Sequence, residues 1–284
     1  MSTAKRLREI VNQQKGTIVP GAPNAVMARV IEETGFPVVF LSGAGISNWK
    51  LAIADYGLTT LTEVVEVTAE VTSAVSIPVL VDADTGYGNP LNVIRTVREL
   101  ERAGAAGIML EDQVFPKRCG HFDHKQVIPA DEMVQKIKAA TDSRVNEDVI
   151  IVARTDAIAV DGIEAAIERA HQYHEAGADV TFVEAPQTYD QMKRIGQLPW
   201  PQVANMVEGG KTPILPQQEL QEIGFSLIYY ANAIPRAALR AAFEAARKLM
   251  ETGTSVDIPM LSWQERQSLV KLPELSALEK RYQV

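Results

Sequence analysis

The chain has 284 residues, 46% of them hydrophobic and 23% charged, and a formal net charge of −8. That is a globular composition with enough length for one sizeable core, and an acidic surface without basic runs argues against a nucleic-acid partner. No apolar run reaches the roughly 18 residues of a membrane span, the first residues lack a signal-peptide core, and the single cysteine, Cys119, suits a reducing compartment, so no membrane partner and a cytoplasmic location are expected.

Residues 1–14 set Leu7, Ile10 and Val11 against Lys5, Arg6, Arg8 and Glu9, which predicts an amphipathic helix. Beyond it, eight short apolar runs are centred near Ile18, Val39, Leu80, Met109, Ile151, Phe182, Ala204 and Ile228. Between them lie stretches of helical period, such as Ile163, Ala166, Ile167 and Ala170, or Leu239, Ala242, Phe243 and Ala246. Four such stretches end in a glycine directly before the next apolar run, at Gly35, Gly104, Gly177 and Gly224. A left-handed glycine there closes the helix and turns the chain back. The repeated unit predicts parallel strands joined by right-handed crossovers, and eight units in about 250 residues fit a closed (β/α)8 TIM barrel of the α/β class better than an open sheet. The barrel is expected over about residues 15–252 of a single domain, followed by a polar tail over 253–284 with helical fragments at 263–269 and 275–282. That tail either packs on a second subunit or runs over its own surface.

A barrel of this kind works at the carboxyl ends of its strands, and here nearly every strand end carries a polar residue: Ser42, Asp82 and Asp84, Glu111 and Asp112, Arg154, Glu184, Asn205 and Asn232. Asp82 and Asp84 are two residues apart, the strand period, so both are expected on one face, next to Glu111 from the following strand. Oxygen ligands without His or Cys favour Mg2+, or Mn2+, over zinc; a salt-bridge network is the alternative reading. In the loop after the fourth strand, Lys117-Arg118-Cys119-Gly120-His121 surrounds a thiol with cationic side chains, which favours thiolate and lets Cys119 exchange a proton. Gly120 would let that loop bend as a lid. Other motifs are incomplete. Gly43-Ala44-Gly45 lacks a third glycine where Asn48 stands, and Gly210-Lys211-Thr212 lacks a P-loop's first glycine where Asn205 stands. His171 and His174 are expected on a solvated helix face.

From about residue 21 to residue 246 the chain resembles the isocitrate lyase and phosphoenolpyruvate mutase superfamily. The resemblance is carried by Leu41-Ser42-Gly43, Val81-Asp82-Ala83-Asp84-Thr85-Gly86-Tyr87-Gly88, Glu111-Asp112-Gln113, residues 117–121, Ala153-Arg154-Thr155-Asp156-Ala157 and Asn205-Met206-Val207-Glu208-Gly209-Gly210. Residues 117–121 look like the lyase branch, which holds the 2-methylisocitrate and 2,3-dimethylmalate lyases and the related oxaloacetate hydrolases. The resemblance implies a carbon–carbon lyase acting on a small 2-hydroxy diacid. Ser42, Gly43, Ala44 and Asp55 would cradle the substrate carboxylate; Asp84 would bind Mg2+, and Asp82 and Glu111 would hold its waters. Arg154 would balance charge on the substrate, Glu184, Asn205 and Arg236 would meet its other end, and Gly120 would close over it. Cys119 would be the proton donor, with Lys117 and His121 beside it. The resemblance also implies a homotetramer with an exchanged eighth helix. Three segments depart from the lyase pattern: Asn48-Trp49-Lys50, Ala54 before Asp55, and residues 230–237, where Ala231-Asn232 looks more like the mutase branch. Rival readings are an oxaloacetate decarboxylase or hydrolase, a phosphonopyruvate-type mutase or hydrolase, and a non-catalytic barrel that only binds.

Overall fold

Eight strands form where the apolar runs stand: β1 (Thr17–Pro20), β2 (Val39–Leu41), β3 (Val79–Asp82), β4 (Gly107–Glu111), β5 (Ile150–Thr155), β6 (Val180–Val183), β7 (Val203–Asn205) and β8 (Leu227–Tyr230). The structure is a computed structural model, and it describes every residue except His121, Asp123 and Val284. All ladders are parallel. Strands β2 to β6 pair in sequence order, and β8 lies between β1 and β7. Single parallel bridges, Gly21 with Phe40 and Thr181 with Gln202, join these two sets into a ring, so the fold is a closed (β/α)8 TIM barrel. Helices on one side and barrel filling on the other bury both faces of each strand, which is why the strands read as continuous apolar runs rather than as alternation.

Between the strands run α2 (Ala25–Glu33), α4 (Leu61–Ala74), α5 (Pro90–Arg102), α6 (Ala130–Ser143), α7 (Ile158–Glu175), α8 (Tyr189–Gly196) and α9 (Gln217–Ile223). Gly35, Gly104, Gly177 and Gly224 all take the positive φ expected at a helix end, between 93° and 121°. The amphipathic first helix, α1 (Thr3–Asn12), buries Ala4, Leu7 and Val11. Leu7 reaches Gly107 at the start of β4, where an added Cβ would lie 2.9 Å from Leu7 Cδ2, so α1 plugs the amino end of the barrel. Its Arg8 donates to Asp179 Oδ1 at 2.8 Å and to the Glu147 carbonyl at 2.7 Å. His171 is exposed as expected, but His174 stacks on Trp200 at 4.5 Å and an interplanar angle of 10°, because the helix face they share meets that indole rather than open solvent.

Inside the barrel, Phe40, Met109, Phe182 and Tyr229 come from the alternate strands β2, β4, β6 and β8, the composition of one filling layer in this architecture. Tyr229 stacks on Phe40 at 4.5 Å and meets Phe182 edge-on at 5.9 Å. All four border a single cavity at the carboxyl ends of the strands.

Residues 1–234 form one compact unit and residues 235–284 another. The second holds most of α10 (Ala233–Thr252), with α11 (Trp263–Leu269) and α12 (Leu272–Tyr282). Serine 262 starts α11 with a capping box, in which Ser262 Oγ accepts from the Glu265 N–H and the Glu265 carboxylate accepts from the Ser262 N–H. The unit leaves Leu239, Phe243, Leu249, Met250, Trp263 and Leu275 exposed. Among the described residues, no helix is long and apolar enough to cross a membrane.

Candidate active site

Strand β2 delivers Ser42 to the N-cap of the short helix α3 (Gly43–Ile46), where its hydroxyl accepts from the Gly45 N–H at 3.4 Å. The Gly43 N–H donates to Asp82 Oδ2 at 3.1 Å. A Cβ on Gly43 would lie 2.9 Å from Asp84 Oδ1 and 3.2 Å from Asp82 Oδ2, so only glycine lets this backbone rest against both carboxylates. A π-helical turn, Ser47–Leu51, then carries the chain to the buried Asp55; it spans the Asn48-Trp49-Lys50 segment that departs from the lyase pattern.

Asp82 closes β3, but Asp84 lies past the strand end with φ of 48°, so strand period is not what brings the two together. The Asp84 N–H donates to Asp82 Oδ1 at 3.1 Å, and this tight left-handed turn aims both side chains at Gly43. Left-handed non-glycine residues concentrate at functional sites. Glu111, at the end of β4, stands beside Arg154 from β5, with Nη1 3.2 Å from Oε2. Burial, seconded by the Asp82 and Asp55 charges, pushes the Asp84 carboxyl up to about 6 despite the opposing Lys117 ammonium. Burial also raises Glu111 well above the carboxylate range, against the pull of Arg154 and Lys117.

Lys117 corrects the expectation drawn from its place in the chain. It does not serve the thiol two residues on: it is 2% exposed, and its ammonium sits 2.6 Å from Asp55 Oδ1 and 2.9 Å from Asp84 Oδ1. A lysine stem is long enough to turn away from its sequence neighbours into a buried acidic nest. Arg118, the other cation expected to act on the thiol, is exposed, and its backbone is clamped by the Gln113 side chain, which both donates to its carbonyl and accepts from its N–H. Cys119 is half-buried and borders the cavity. His121 lies outside the described residues. Arg236 is exposed on the first turn of α10, within the second unit.

The charge around Arg154 is organised by residues that strand-end reasoning passed over. Asp156 accepts from Arg154 Nε at 2.9 Å and Nη2 at 3.0 Å, and from Lys125 Nζ at 2.6 Å. Lys125 Nζ also donates to the Gly120 carbonyl, which ties the Cys119 loop to the group that holds Arg154. Burial works against the Arg154 charge, but Asp156, Glu111 and Glu184 outweigh it. For Asp156 burial raises the pKa, and Arg154 and Lys125 overcome it to hold the carboxyl at about 2. Behind it Asp112 accepts from Thr155, Tyr173 and Arg169 and from the Asp156 N–H, fixing the end of β5. Asp112 stood among the strand-end residues in the sequence; for Asp156 the one signal was its place inside a motif that carries the family resemblance.

Gly120 roofs the site. A Cβ there would collide with Arg154 Nη2 and Glu184 Oε1. Beneath it lies a cavity of about 60 Å3, bordered by Ser42, Ala44, Asp55, Asp82, Cys119, Arg154, Glu184, Asn205 and Asn232 and by apolar Phe40, Met109, Phe182, Val207 and Ala231. Asn205 Nδ2 donates to Glu184 at 3.4 Å. A roomier hollow of about 430 Å3, lined by Tyr56, Phe115, Arg118 and Gln126 among others, holds none of the strand-end acids.

Among the described residues, no three His, Cys, Asp or Glu side chains converge closely enough to form a ready-made metal cage. A hydrated Mg2+ needs only one or two carboxylates, and three observations fit such an ion. Glu111 Oε1 is buried with no hydrogen-bond partner among the described residues, which costs on the order of 1–3 kcal/mol. The carboxylates Asp55, Asp82, Asp84 and Glu111 outnumber the cations beside them, Lys117 and Arg154, and Arg154 is shared with Asp156, so the cluster carries excess negative charge for a divalent ion to balance. The donors are all oxygen, the preference of a hard cation.

The chain matches the family described as phosphoenolpyruvate phosphomutase over residues 7–250. It is 44% identical over 285 residues to the 2,3-dimethylmalate lyase of Eubacterium barkeri, covering 99% of each chain. A solved structure of 2,3-dimethylmalate lyase, described as a member of the PEP mutase/isocitrate lyase superfamily, superposes with a TM-score of 0.93 at 32% identity, over 99% of this chain and 95% of that one. A phosphonopyruvate hydrolase solved with oxalate and Mg2+ superposes with a TM-score of 0.89 at 29% identity, over 99% of each chain. A likeness that runs from end to end, over a barrel with polar groups at its strand ends, identifies the chain as a member of the phosphoenolpyruvate mutase and isocitrate lyase superfamily.

Proposed function

We propose that this protein is a Mg2+-dependent carbon–carbon lyase that cleaves a small, branched 2-hydroxy diacid of the 2,3-dimethylmalate type to pyruvate and a carboxylate. The observation that carries the substrate class is the lining of the cavity, where Arg154 is the one cationic side chain among the described residues and Phe40, Met109, Phe182, Val207 and Ala231 supply apolar surface. A methylisocitrate brings a third carboxylate that needs a second cation, whereas dimethylmalate needs an apolar wall. The likeness to a dimethylmalate lyase runs over 99% of this chain, against 89% for a 2-methylisocitrate lyase of similar identity.

Asp84, with Asp82 and Glu111, would hold the Mg2+, whose chemistry is to stabilise negative charge on the substrate oxygens. Ser42, the Gly43 backbone and Asp55 orient the C2 end of the acid, and Arg154 stays charged to face its carboxylates. A carboxylate of the cavity lining, Asp55 or Glu184, takes the hydroxyl proton. The C2–C3 bond then breaks to give the 2-oxo acid, and its electron pair passes to C3 as a carboxylate enolate. Cys119 Sγ, on the roof, gives C3 its proton, and the carboxyl proton returns to solvent as the thiol is recharged. The closed roof of Gly120 keeps water from that carbanion.

The exposed apolar side chains of the C-terminal unit, Phe243 and Met250 among them, support assembly with further copies of the chain as a homotetramer. Light scattering checks this by a solution mass of four chains, and a mass of one chain contradicts it. A single cysteine fits a cytoplasmic setting. The substrate assignment is tested by assaying release of 2-oxo acid from 2,3-dimethylmalate, other alkylmalates, 2-methylisocitrate and oxaloacetate. Alkylmalates should give the highest kcat/KM, with overlap because one methyl contact discriminates by only about 1–3 kcal/mol. Consumption of oxaloacetate with no cleavage of any hydroxy diacid would overturn it.

A further inference from the structure

The filling layer beneath the cavity contains a hydroxyl that packing does not require. Tyr229 lies within β8, in register with Val19 and Asn205, and is 1% exposed. Its ring stacks on Phe40 and meets the edge of Phe182, contacts that a phenylalanine would preserve in full. The other three members of the layer, Phe40, Met109 and Phe182, carry no hydroxyl. Yet Tyr229 Oη is buried and has no hydrogen-bond partner among the described residues. Buried tyrosine hydroxyls ordinarily find one.

Tyr229 borders the same cavity as Ser42, Asp82, Arg154 and Asn205. A phenol can donate one hydrogen bond. With no acceptor supplied by the fold, the acceptor is supplied by what fills the cavity, and an acid whose carboxylates face Arg154 presents oxygens there. The stacked Phe40 ring and the edge-on Phe182 ring hold the Tyr229 ring, so its hydroxyl is positioned before the ligand arrives.

We propose that Tyr229 is a substrate-binding residue that donates its hydroxyl hydrogen bond to an oxygen of the bound 2-oxo or 2-hydroxy acid. This rests on the reading of the cavity as an oxo-acid site. It adds an orienting contact from β8, the strand whose following segment departs from the lyase pattern, to those already assigned to β2, β3 and β5.

The test compares the full-length protein with Tyr229→Phe by calorimetric titration of oxalate in the presence of Mg2+, together with the melting temperature of each protein without ligand. The expected result is oxalate affinity weakened about tenfold, equivalent to about 1.4 kcal/mol, with a melting temperature equal to or above that of the parent because an unsatisfied hydroxyl is gone. Oxalate affinity within twofold of the parent overturns the proposal, and so does a melting temperature lowered by several degrees, which would mean that the hydroxyl serves the fold. Failure of the parent protein itself to bind oxalate would instead refute the oxo-acid reading, and the proposal with it. A purely structural tyrosine would move the melting temperature and leave the affinity of the folded protein unchanged.

Discussion

Cys119 borders the cavity, half-buried, on a loop whose Lys117 turns away to Asp55 and Asp84. Cys119→Ser should therefore fold and bind oxalate as the parent does, while turnover falls by about two to four orders of magnitude, the usual worth of a positioned proton donor. Normal turnover per folded molecule, with a lowered melting temperature, would assign the thiol to packing instead. Asp156 makes a prediction about acid. Its carboxyl is held at about 2 in the folded chain against an ordinary 3.8, so the folded state binds its proton less readily than the unfolded state. The stability this contributes, about 2 kcal/mol, is fully present above pH 4 and is lost as pH falls through about 2. Acid-unfolding curves of Asp156→Asn should accordingly be flatter than those of the parent between pH 4 and 2; equal slopes would contradict the assignment. Strand-end residues such as Asp82, Glu111 and Arg154 were legible in the sequence because residue type and strand position together define them. The roles of Lys117, Lys125, Asp156 and Tyr229 were not, because each depends on a contact far away in the chain: Lys117 reaches Asp55, and Lys125 reaches Asp156.

At the scale of elements, the loop between β4 and α6 does most to complete the site. Gln113 clamps the backbone of Arg118, Lys125 ties Gly120 to Asp156, and Tyr56 of the segment between β2 and α4 meets Phe122 at 5.7 Å between ring centres. The loop is thus held from both sides over Arg154. Gly120→Ala should lift it, since the new methyl would strike Arg154 Nη2 and Glu184 Oε1. Turnover should drop about 100-fold, the scale of a misplacement of roughly 1 Å, with little change in melting temperature because the loop adds little to the core. Unchanged kinetics would show that the roof need not close this tightly. The sequence indicated a lid through the flexibility of Gly120. The structure gives a different reason for glycine there, close approach of backbone to two charged side chains. Strand period likewise misled for Asp84, since β3 ends at Asp82 and a left-handed turn follows.

Over the whole molecule, the barrel could be read from sequence because parallel strands buried on both faces leave continuous apolar runs, and because glycine marks four of the helix ends. The C-terminal unit was less legible: α10 has a clear helical period, yet it buries only Pro235, and period alone does not say what covers the remaining face. The same limit applies to the cation site, where sequence names the acids and the fold shows how their charge is balanced. Buried acids outnumber the cations beside them, and Glu111 Oε1 is buried with no partner among the described residues, so a divalent cation should be required for chemistry. The direct measurement is pyruvate formation from 2,3-dimethylmalate by the full-length protein before chelation, after chelation, and after Mg2+ is restored. The account predicts cleavage that the chelator abolishes and Mg2+ brings back, with Asp84→Ala inactive throughout. Pyruvate formation that continues undiminished in chelator, or in Asp84→Ala, would contradict it.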